Sequence, residues 1–512
     1  MSVDLHYSTA RVRRGALHFL FGKVGSAALN FSALILVARL LVMVDYAYYV
    51  AALATVELGL AFGSFGLDWV AARYLPEYRV LAPQNILKRF IWRLVGLQST
   101  IYLGFAIAMA LGSTAIATML GTPAAAPVMM VYAAYLLAEG CSRMLRDQML
   151  GQLLLQGRAQ FSLVLRNLVW VGGLGWLYLD SGMAGIGSVA LVEVLAASVG
   201  LVLAAIGLML ALRAPMPESP PTSAWAEPAR GELFKLARST YLSFLFSLAY
   251  SPQVLTLLLS RFAGAEATAA FGFARNLSDQ VRRYLPTDLL LGLIRPALVA
   301  RFTATGDFPT LNRNASLLLL VSLLVLSPLL ILGIVFGELL VNVLSHGKFK
   351  DSALYLVLLL LVLVPFSHRK IIELIANTTS HAAVCTRANA YMIGFPFVMA
   401  VLLYLQQPVW SVLFVSLCGE IVFNIVVVRA LHISKLPYAF PWSPFWRIAL
   451  GTALAAGILS LWPMSITGLL GLLLAVVVTV PVTAAFLWLC KPLDKATVTL
   501  LTQLLAGRHR AN

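Results

Sequence analysis

Between positions 275 and 286 four residues recur at i, i+4, i+7 and i+11: Arg275, Asp279, Arg282 and Pro286, with Arg283 beside Arg282. That spacing places them on one face of a helix. Three guanidiniums against one carboxylate leave a positive surplus, and guanidinium forks pair with phosphate or acidic-sugar oxygens. The competing use of the same residues is an internal pair of Asp279 with Arg283 or Arg275. A second stripe sets Arg369, Glu373 and Asn377 at successive i+4 steps, with Lys370 adjacent and His368 nearby. Here an Arg369–Glu373 bridge within one helix competes with anion binding by Arg369, and Lys370 is placed to snorkel.

Carboxylates supply a different chemistry. Glu57 heads a face with Ala61, Ser64 and Asp68, and a carboxylate in apolar surroundings can take up and release a proton as a coupling or gating group. Neutralisation by an arginine or lysine of a facing lobe is the competing use. Asp68 with Arg73 reads as a structural or gating pair. Lys23, Ser26 and Asn30 share a face, as do Ser239, Ser243, Ser247 and Tyr250. Serines at this spacing pack helices closely more often than they bind sugar, while Lys23 and Asn30 join the candidate substrate-binding set. Glu139, and Glu420 with Asn424, read first as interhelical hydrogen-bonding groups.

The elements that position these residues must cross a membrane. Of 512 residues, 60% are hydrophobic and 11% charged, against roughly a quarter charged in soluble domains. The mean hydropathy is +0.88. Several runs exceed the ~18 to 20 apolar residues needed to span hydrocarbon, and they lack the period-2 alternation of a barrel. Spans are expected near 15–41, 47–74, 90–111, 126–149, 161–179, 183–213, 237–261, 269–298, 311–336, 353–377, 382–405, 409–432, 446–462 and 466–489. The first is too long for the core of a cleaved leader and reads as a retained helix. The fold class expected is therefore all-α and polytopic, with about 14 transmembrane helices.

The proline-rich stretch at 214–230 is the strongest linker signal in the chain. It divides the sequence into an N-terminal lobe at 1–213, a linker at 214–236, a C-terminal lobe at 237–433, and two further helices with a tail at 434–512. "ARLLVMVDYAYYVAAL" (38–53) aligns with "SRFAGAEATAAFGFAR" (260–275), and "TMLGTPAAAPVMMVYAAYLL" (118–137) with "NVLSHGKFKDSALYLVLLLL" (342–361). These matches point to two six-helix lobes related by pseudo-two-fold symmetry, with the last two helices outside the repeat.

The net charge of +16 belongs to the loops. Arg73, Arg79, Lys88, Arg143, Arg146, Arg158, Arg213, Arg230, Lys435 and Lys491 stand on one side, against Arg39, Arg261, Lys348 and Lys350 on the other. By the positive-inside rule both termini are expected in the cytoplasm, which makes the surplus a topology signal and excludes a nucleic-acid footprint. Basic residues at 75–93 and 230–238 suit anionic lipid headgroups. The four cysteines fall in apolar spans without metal-ligand spacing and read as packing residues.

The stretch "LVARLLVMVDYAYYVAALATVELGLAFGSFGLDWVAARYLPEYR" (36–79) resembles the opening signature of the polysaccharide-transporter, O-antigen flippase-like family. The matching residues are Arg39, Leu40, Leu41, Asp45 and Tyr49, then Phe65, Gly66, Leu67, Asp68 and Arg73. Val42, Met43 and Val44 stand where relatives usually carry Gly-Pro. "FGELLVNVLSHGKFKDSA" (336–353) is similar to a later loop of the same family. The resemblance implies the two-lobed fold of the multidrug, oligosaccharidyl-lipid and polysaccharide exporter superfamily, working by alternating access.

The implied activity is a flippase, with no enzyme chemistry and no cofactor beyond a proton or sodium as coupling ion. Implied too are a polyprenyl-pyrophosphate-linked oligosaccharide as cargo, membrane lipids, a glycan polymerase and other assembly proteins as partners, and a bacterial inner membrane as location. A drug or small-molecule antiporter of the same superfamily would favour an anionic cavity, which the arginines of 275–283 argue against. A membrane-embedded glycan polymerase or acyltransferase would need catalytic groups on a sizeable loop, and the outward loops are short. No Walker motif is present, so ATP hydrolysis by this chain is not expected.

Overall fold

The computed structural model describes residues 9–213, 227–289, 291–461 and 468–493. Most of the expected linker, at 214–226, and the tail from 494 lie outside the described residues. Among the described residues every regular element is helical: α1 (Thr9–Leu40), α2 (Met43–Phe62), α3 (Leu67–Leu81), α4 (Gln84–Leu111), α5 (Ser113–Met119), α6 (Ala126–Arg143), α7 (Gln156–Ser181), α8 (Ile186–Arg213), α9 (Arg230–Ala249), α10 (Pro252–Phe262), α11 (Gly264–Tyr284), α12 (Pro286–Leu289), α13 (Leu291–Thr305), α14 (Phe308–Ser345), α15 (Ser352–Thr378), α16 (Ala382–Met392), α17 (Gly394–Tyr404), α18 (Val409–Ile433), α19 (Trp442–Ser460) and α20 (Gly468–Cys490). A short 3-10 turn precedes α6, and a π-helical turn, Met144–Leu150, follows it.

The protein is a multi-pass, all-helical membrane protein. Ten described helices or joined helices are long and apolar enough to cross a bilayer, and two bent pairs, α2/α3 at 53° and α9/α10 at 41°, raise this to twelve. The remaining two expected spans are α19, which opens on Trp442, Trp446 and Arg447, and the α11–α13 series. Both are less apolar at a cost the sequence explains: α11 carries Glu266, Arg275, Asp279, Arg282 and Arg283 in 21 residues.

The bends have local causes. α2 ends at Gly63, and the chain then turns through Phe65 (φ +45°) and Gly66 (φ +74°) before α3. Left-handed backbone is costly for a residue with a Cβ, so Gly66 is the residue type this turn requires. Between α9 and α10 the Ser251 hydroxyl accepts from the Val254 amide, and Pro252 occupies the first turn of the new helix, a start signal inside an expected single span. α11 stops before Pro286, whose missing N–H cannot continue the ladder; the Thr287 amide donates instead to Ser322 Oγ at 2.9 Å. α14 runs 38 residues, well beyond the expected end at 336, with non-helical dihedrals at Phe336.

The chain divides into two compact units, 1–269 and 270–512. In the first, α1 packs on α7, α6 on α8 and α4, α7 on α8, and α2 on α6 and α10, while α9 rests on α3. The helices α9 and α10, expected in the C-terminal lobe, thus group with the first unit. In the second, α14 packs on α15, α19 and α20, and α18 on α15, α16 and α17. At the positions paired in the sequence, Arg39 lies in the last turn of α1 and Arg261 in that of α10, and Tyr49 and Phe271 are both buried.

Candidate functional site

Polar side chains gather inside the described helices of each unit. In the first unit, Gly59 and Gly140 let α2 and α6 approach closely: a Cβ at Gly59 would lie 2.6 Å from Leu136 Cδ1, and one at Gly140 2.7 Å from Leu60 Cδ2. Small residues at a helix contact permit such an approach. It brings Arg143 at the end of α6 onto Glu57 of α2, with Nη1 and Nη2 donating to the two carboxylate oxygens at 3.0 and 2.7 Å. Arg143 Nε donates to Glu139 Oε1 at 2.7 Å. The other oxygen of Glu139 accepts from Arg166 Nε of α7 at 3.0 Å.

Arg166 continues the line, donating to Asn167 Oδ1 at 2.9 Å and to the Tyr135 hydroxyl at 3.0 Å. Asn167 donates to Ser26 Oγ of α1 at 2.6 Å, and Asn30 donates to the same hydroxyl at 3.4 Å. Gly200 of α8 leaves room for this, since a Cβ there would sit 3.1 Å from Arg166 Cβ. Glu193 of α8 accepts from the Tyr132 hydroxyl at 2.8 Å. Charge-assisted bonds tie α2, α6 and α7, and hydrogen bonds extend the network to α1 and α8.

Glu57 therefore meets a cation within its own unit, from Arg143 of α6, where the competing use of this residue had placed one in the facing lobe. Lys23 is half-buried on α1, on the face that carries Ser26. Asp68 sits just after the α2–α3 turn with Oδ1 buried and unpartnered. Arg73 turns instead to Glu77, at 2.8 Å, so the expected Asp68–Arg73 pair does not form. The turn itself is clamped onto α9. Phe65 stacks on Tyr241 with ring centroids 5.1 Å apart, and the Tyr241 hydroxyl donates to the Phe62 carbonyl at 2.8 Å.

In the second unit, Asp279 is shared by Arg275 and Arg282, each at 3.4 Å. Arg282 is about a third exposed, and Arg283 is exposed. Phe366 of α15 lies beneath two cations, 5.5 Å from the Arg282 guanidinium and 5.1 Å from Lys370 Nζ. Arg369 has a different position. Its Nε donates to Glu373 at 2.9 Å, Nη1 to Glu420 at 3.2 Å and Nη2 to Asn389 at 2.8 Å, with the guanidinium 4.0 Å over the Phe423 ring. All three nitrogens are engaged and the side chain is 12% exposed. Lys370 lies 3.9 Å from Glu373. Asn424 donates to the Pro365 carbonyl at 2.8 Å.

The arginine stripe of α11 thus stays together as a positively surplus face, and the Arg369 stripe becomes an interhelical knot. Sequence reasoning missed Arg143, Arg166, Tyr132, Tyr135 and Glu193 as members of a common network. The signal available was the single ionisable residue in each of two apolar runs, Arg166 in α7's centre and Glu193 in α8. Among the described residues no group of His, Cys, Asp or Glu is arranged to hold a metal ion.

No family model and no curated protein matches the sequence. Solved structures do match. The structure of the lipid II flippase MurJ in an inward closed conformation is similar at a TM-score of 0.68 and 14% identity, over 91% of this chain and 97% of that one. The inward-facing conformation of a multidrug resistance MATE family transporter of the MOP superfamily is similar at a TM-score of 0.57 and 12% identity, over 81% and 96%. The chain has the fold of the MOP superfamily of membrane transporters, the group its α1–α3 signature resembles.

Proposed function

We propose that the protein is a flippase that carries a lipid-linked oligosaccharide, on a polyprenyl-pyrophosphate, from the cytoplasmic to the periplasmic leaflet by alternating access. The observation that carries this reading is the α11 face, where Arg275 and Arg282 share the single carboxylate of Asp279 and Arg283 stands exposed beside them. A cationic surplus on a membrane helix needs a counter-charge, and a pyrophosphate offers one with oxygens at the spacing a guanidinium fork takes. That a lipid II flippase shares the fold supports a lipid-linked cargo. A surplus of this sign disfavours a cationic drug.

On this reading Arg275, Arg282 and Arg283 bind the anionic headgroup, Asp279 holds two of them in register, and Phe366 braces Arg282 from below. The cytoplasmic location of both termini follows from the loop charges and is part of the same proposal.

Binding of a purified lipid-linked pyrophosphate glycan to variants of verified folding tests it. Removing one charge-assisted bond of ~1.5 to 3 kcal/mol should weaken binding roughly ten- to a hundredfold in Arg282→Gln, with partial recovery in Arg282→Lys. Unchanged affinity at Arg275, Arg282 and Arg283 alike rules the reading out.

A further inference from the structure

The node of the first unit does not balance its charge. Three carboxylates lie in it, Glu57, Glu139 and Glu193, against two guanidiniums, Arg143 and Arg166. Arg143 spends its fork on both oxygens of Glu57 and its Nε on Glu139. Arg166 spends its nitrogens on Glu139, Asn167 and Tyr135. Arg146, in the π-helical turn, is closed off with its neighbour Asp147 through two bonds of 2.9 and 3.0 Å. Arg158, two turns from Arg166 on α7, donates to the Gly207 carbonyl.

Among the described residues Glu193 makes no ion pair while being 4% exposed, and Arg166 acts on it only from beyond salt-bridge distance. Among the described residues the titratable and charged groups on the elements packed against α8 include Tyr46 and Tyr49 of α2, Tyr132, Tyr135, Glu139 and Arg143 of α6, Arg158 and Arg166 of α7, and the Arg146–Asp147 pair. Of these the Tyr132 hydroxyl bonds Glu193 at 2.8 Å, and the Tyr135 hydroxyl bonds it as well. The rings around it are close-packed, Tyr132 lying edge-on to Tyr49 at 6.3 Å and to Tyr135 at 5.7 Å. An ionised carboxylate without an ion pair is costly at such a place, whereas the neutral acid is held by hydrogen bonds alone. A metal cation would need several oxygen ligands, and among the described residues this pocket offers one carboxylate and two phenol hydroxyls.

We infer that Glu193 is a proton-binding site, carrying a proton in the arrangement described here and exchanging it with water when the unit rearranges. The step is the loss of H⁺ from the Glu193 carboxylic acid to water, leaving the carboxylate. Once ionised, Glu193 competes with Glu139 for Arg166, which reaches towards α8 through Tyr135. Drawing Arg166 away loosens its bond to Glu139, hence the hold on Arg143 and on Glu57, whose side chain is 33% exposed. Two carboxylates and one guanidinium form an element with two arrangements, the kind of device that couples ion binding to a conformational change. The coupling role rests on the flippase reading; the proton site does not.

Infrared difference spectroscopy on the purified full-length protein, in light and heavy water, tests the proton site without any cargo. The expected result at neutral pH is a protonated-carboxyl band that shifts on deuteration, is present in wild type and Glu57→Gln, and is missing from Glu193→Gln. Glu193→Gln should melt no lower than wild type, because the amide copies the neutral acid and still accepts from Tyr132. Identical carboxyl spectra for wild type and Glu193→Gln overturn the inference, as does a clear drop in melting temperature of Glu193→Gln, which would mark an ionised structural acceptor. Transport of the lipid-linked glycan is measured separately. A protein with the Glu193 band that moves no such lipid keeps the proton site and loses the flippase reading.

Discussion

Replacing Arg166 by leucine is expected to remove most of the folded protein. Arg166 is 8% exposed, and its guanidinium holds Glu139, Asn167 and Tyr135 at once. Its loss leaves Glu139 with half its partners and strands the Asn167 and Tyr135 oxygens inside the helix bundle. Breaking a buried pair from one side costs about 3 to 5 kcal/mol, because the remaining charge has no solvent to turn to, and that is a large share of a typical folding free energy. Glu139→Gln should lose a similar amount, since two guanidiniums then face one amide.

The double variant Glu139→Gln/Arg166→Gln should recover part of the loss, as two neutral amides can bond each other without an unpaired charge. Melting temperature in detergent, followed with a thiol-reactive dye on the buried cysteines, reads all three. An Arg166→Leu protein that melts with wild type would mean that the network contributes nothing to the fold.

Local chemistry was legible in the sequence and long-range pairing was not. Arg275–Asp279 and Arg369–Glu373 are i,i+4 pairs, and both form in the structure, because helix geometry alone sets their separation. Glu57 and Arg143 are far apart in the chain, and what joins them is the close approach of α2 and α6 at Gly59 and Gly140. Nothing in the spacing of either helix announces it. Arg143 stood at the end of a span among residues that follow the positive-inside rule, and one guanidinium can serve as both a topology signal and a structural ion.

Glu193 was hidden differently. The run of α8 is apolar on every side, so it has no polar face from which to read a periodicity, and a lone acid inside it stands out only on a direct search for charge. The span count was legible because apolar length is a property of the segment itself. The breaks were legible only in part: Pro252 and Pro286 announce helix starts, whereas the turn at Phe65–Gly66 depends on what lies across from it. The Arg369 stripe shows the limit of face arguments. The same face can line a cavity or meet a neighbouring helix, and here α16 and α18 meet it through Asn389, Glu420 and Phe423.

Gly66 is the position where a single added side chain is expected to do most harm in the α2–α3 turn, and the Phe-Gly-x-Asp string acquires a physical role through it. The residue sits at φ +74°, and a Cβ there would run into the Ala237 carbonyl of α9, 3.0 Å from its carbon and closer still to its oxygen. The obstacle is backbone, so no rotamer change relieves it. Gly66→Val adds a β-branched chain at a left-handed dihedral, a strain of about 1 to 3 kcal/mol before the clash is counted. The turn must then lift off α9, giving up the Phe65–Tyr241 stack and the bond from Tyr241 to the Phe62 carbonyl. Tyr241→Phe keeps the stack and removes only that hydrogen bond, so its cost should be near 1 kcal/mol. The two variants separate backbone contact from side-chain contact. Cysteines placed at Ser64 and Arg238 report on the clamp: their cross-linking should persist in Tyr241→Phe and fall sharply in Gly66→Val, together with the melting temperature. Equal cross-linking and equal melting of Gly66→Val and wild type would show that the turn does not need to touch α9, and that glycine at this position serves some other purpose.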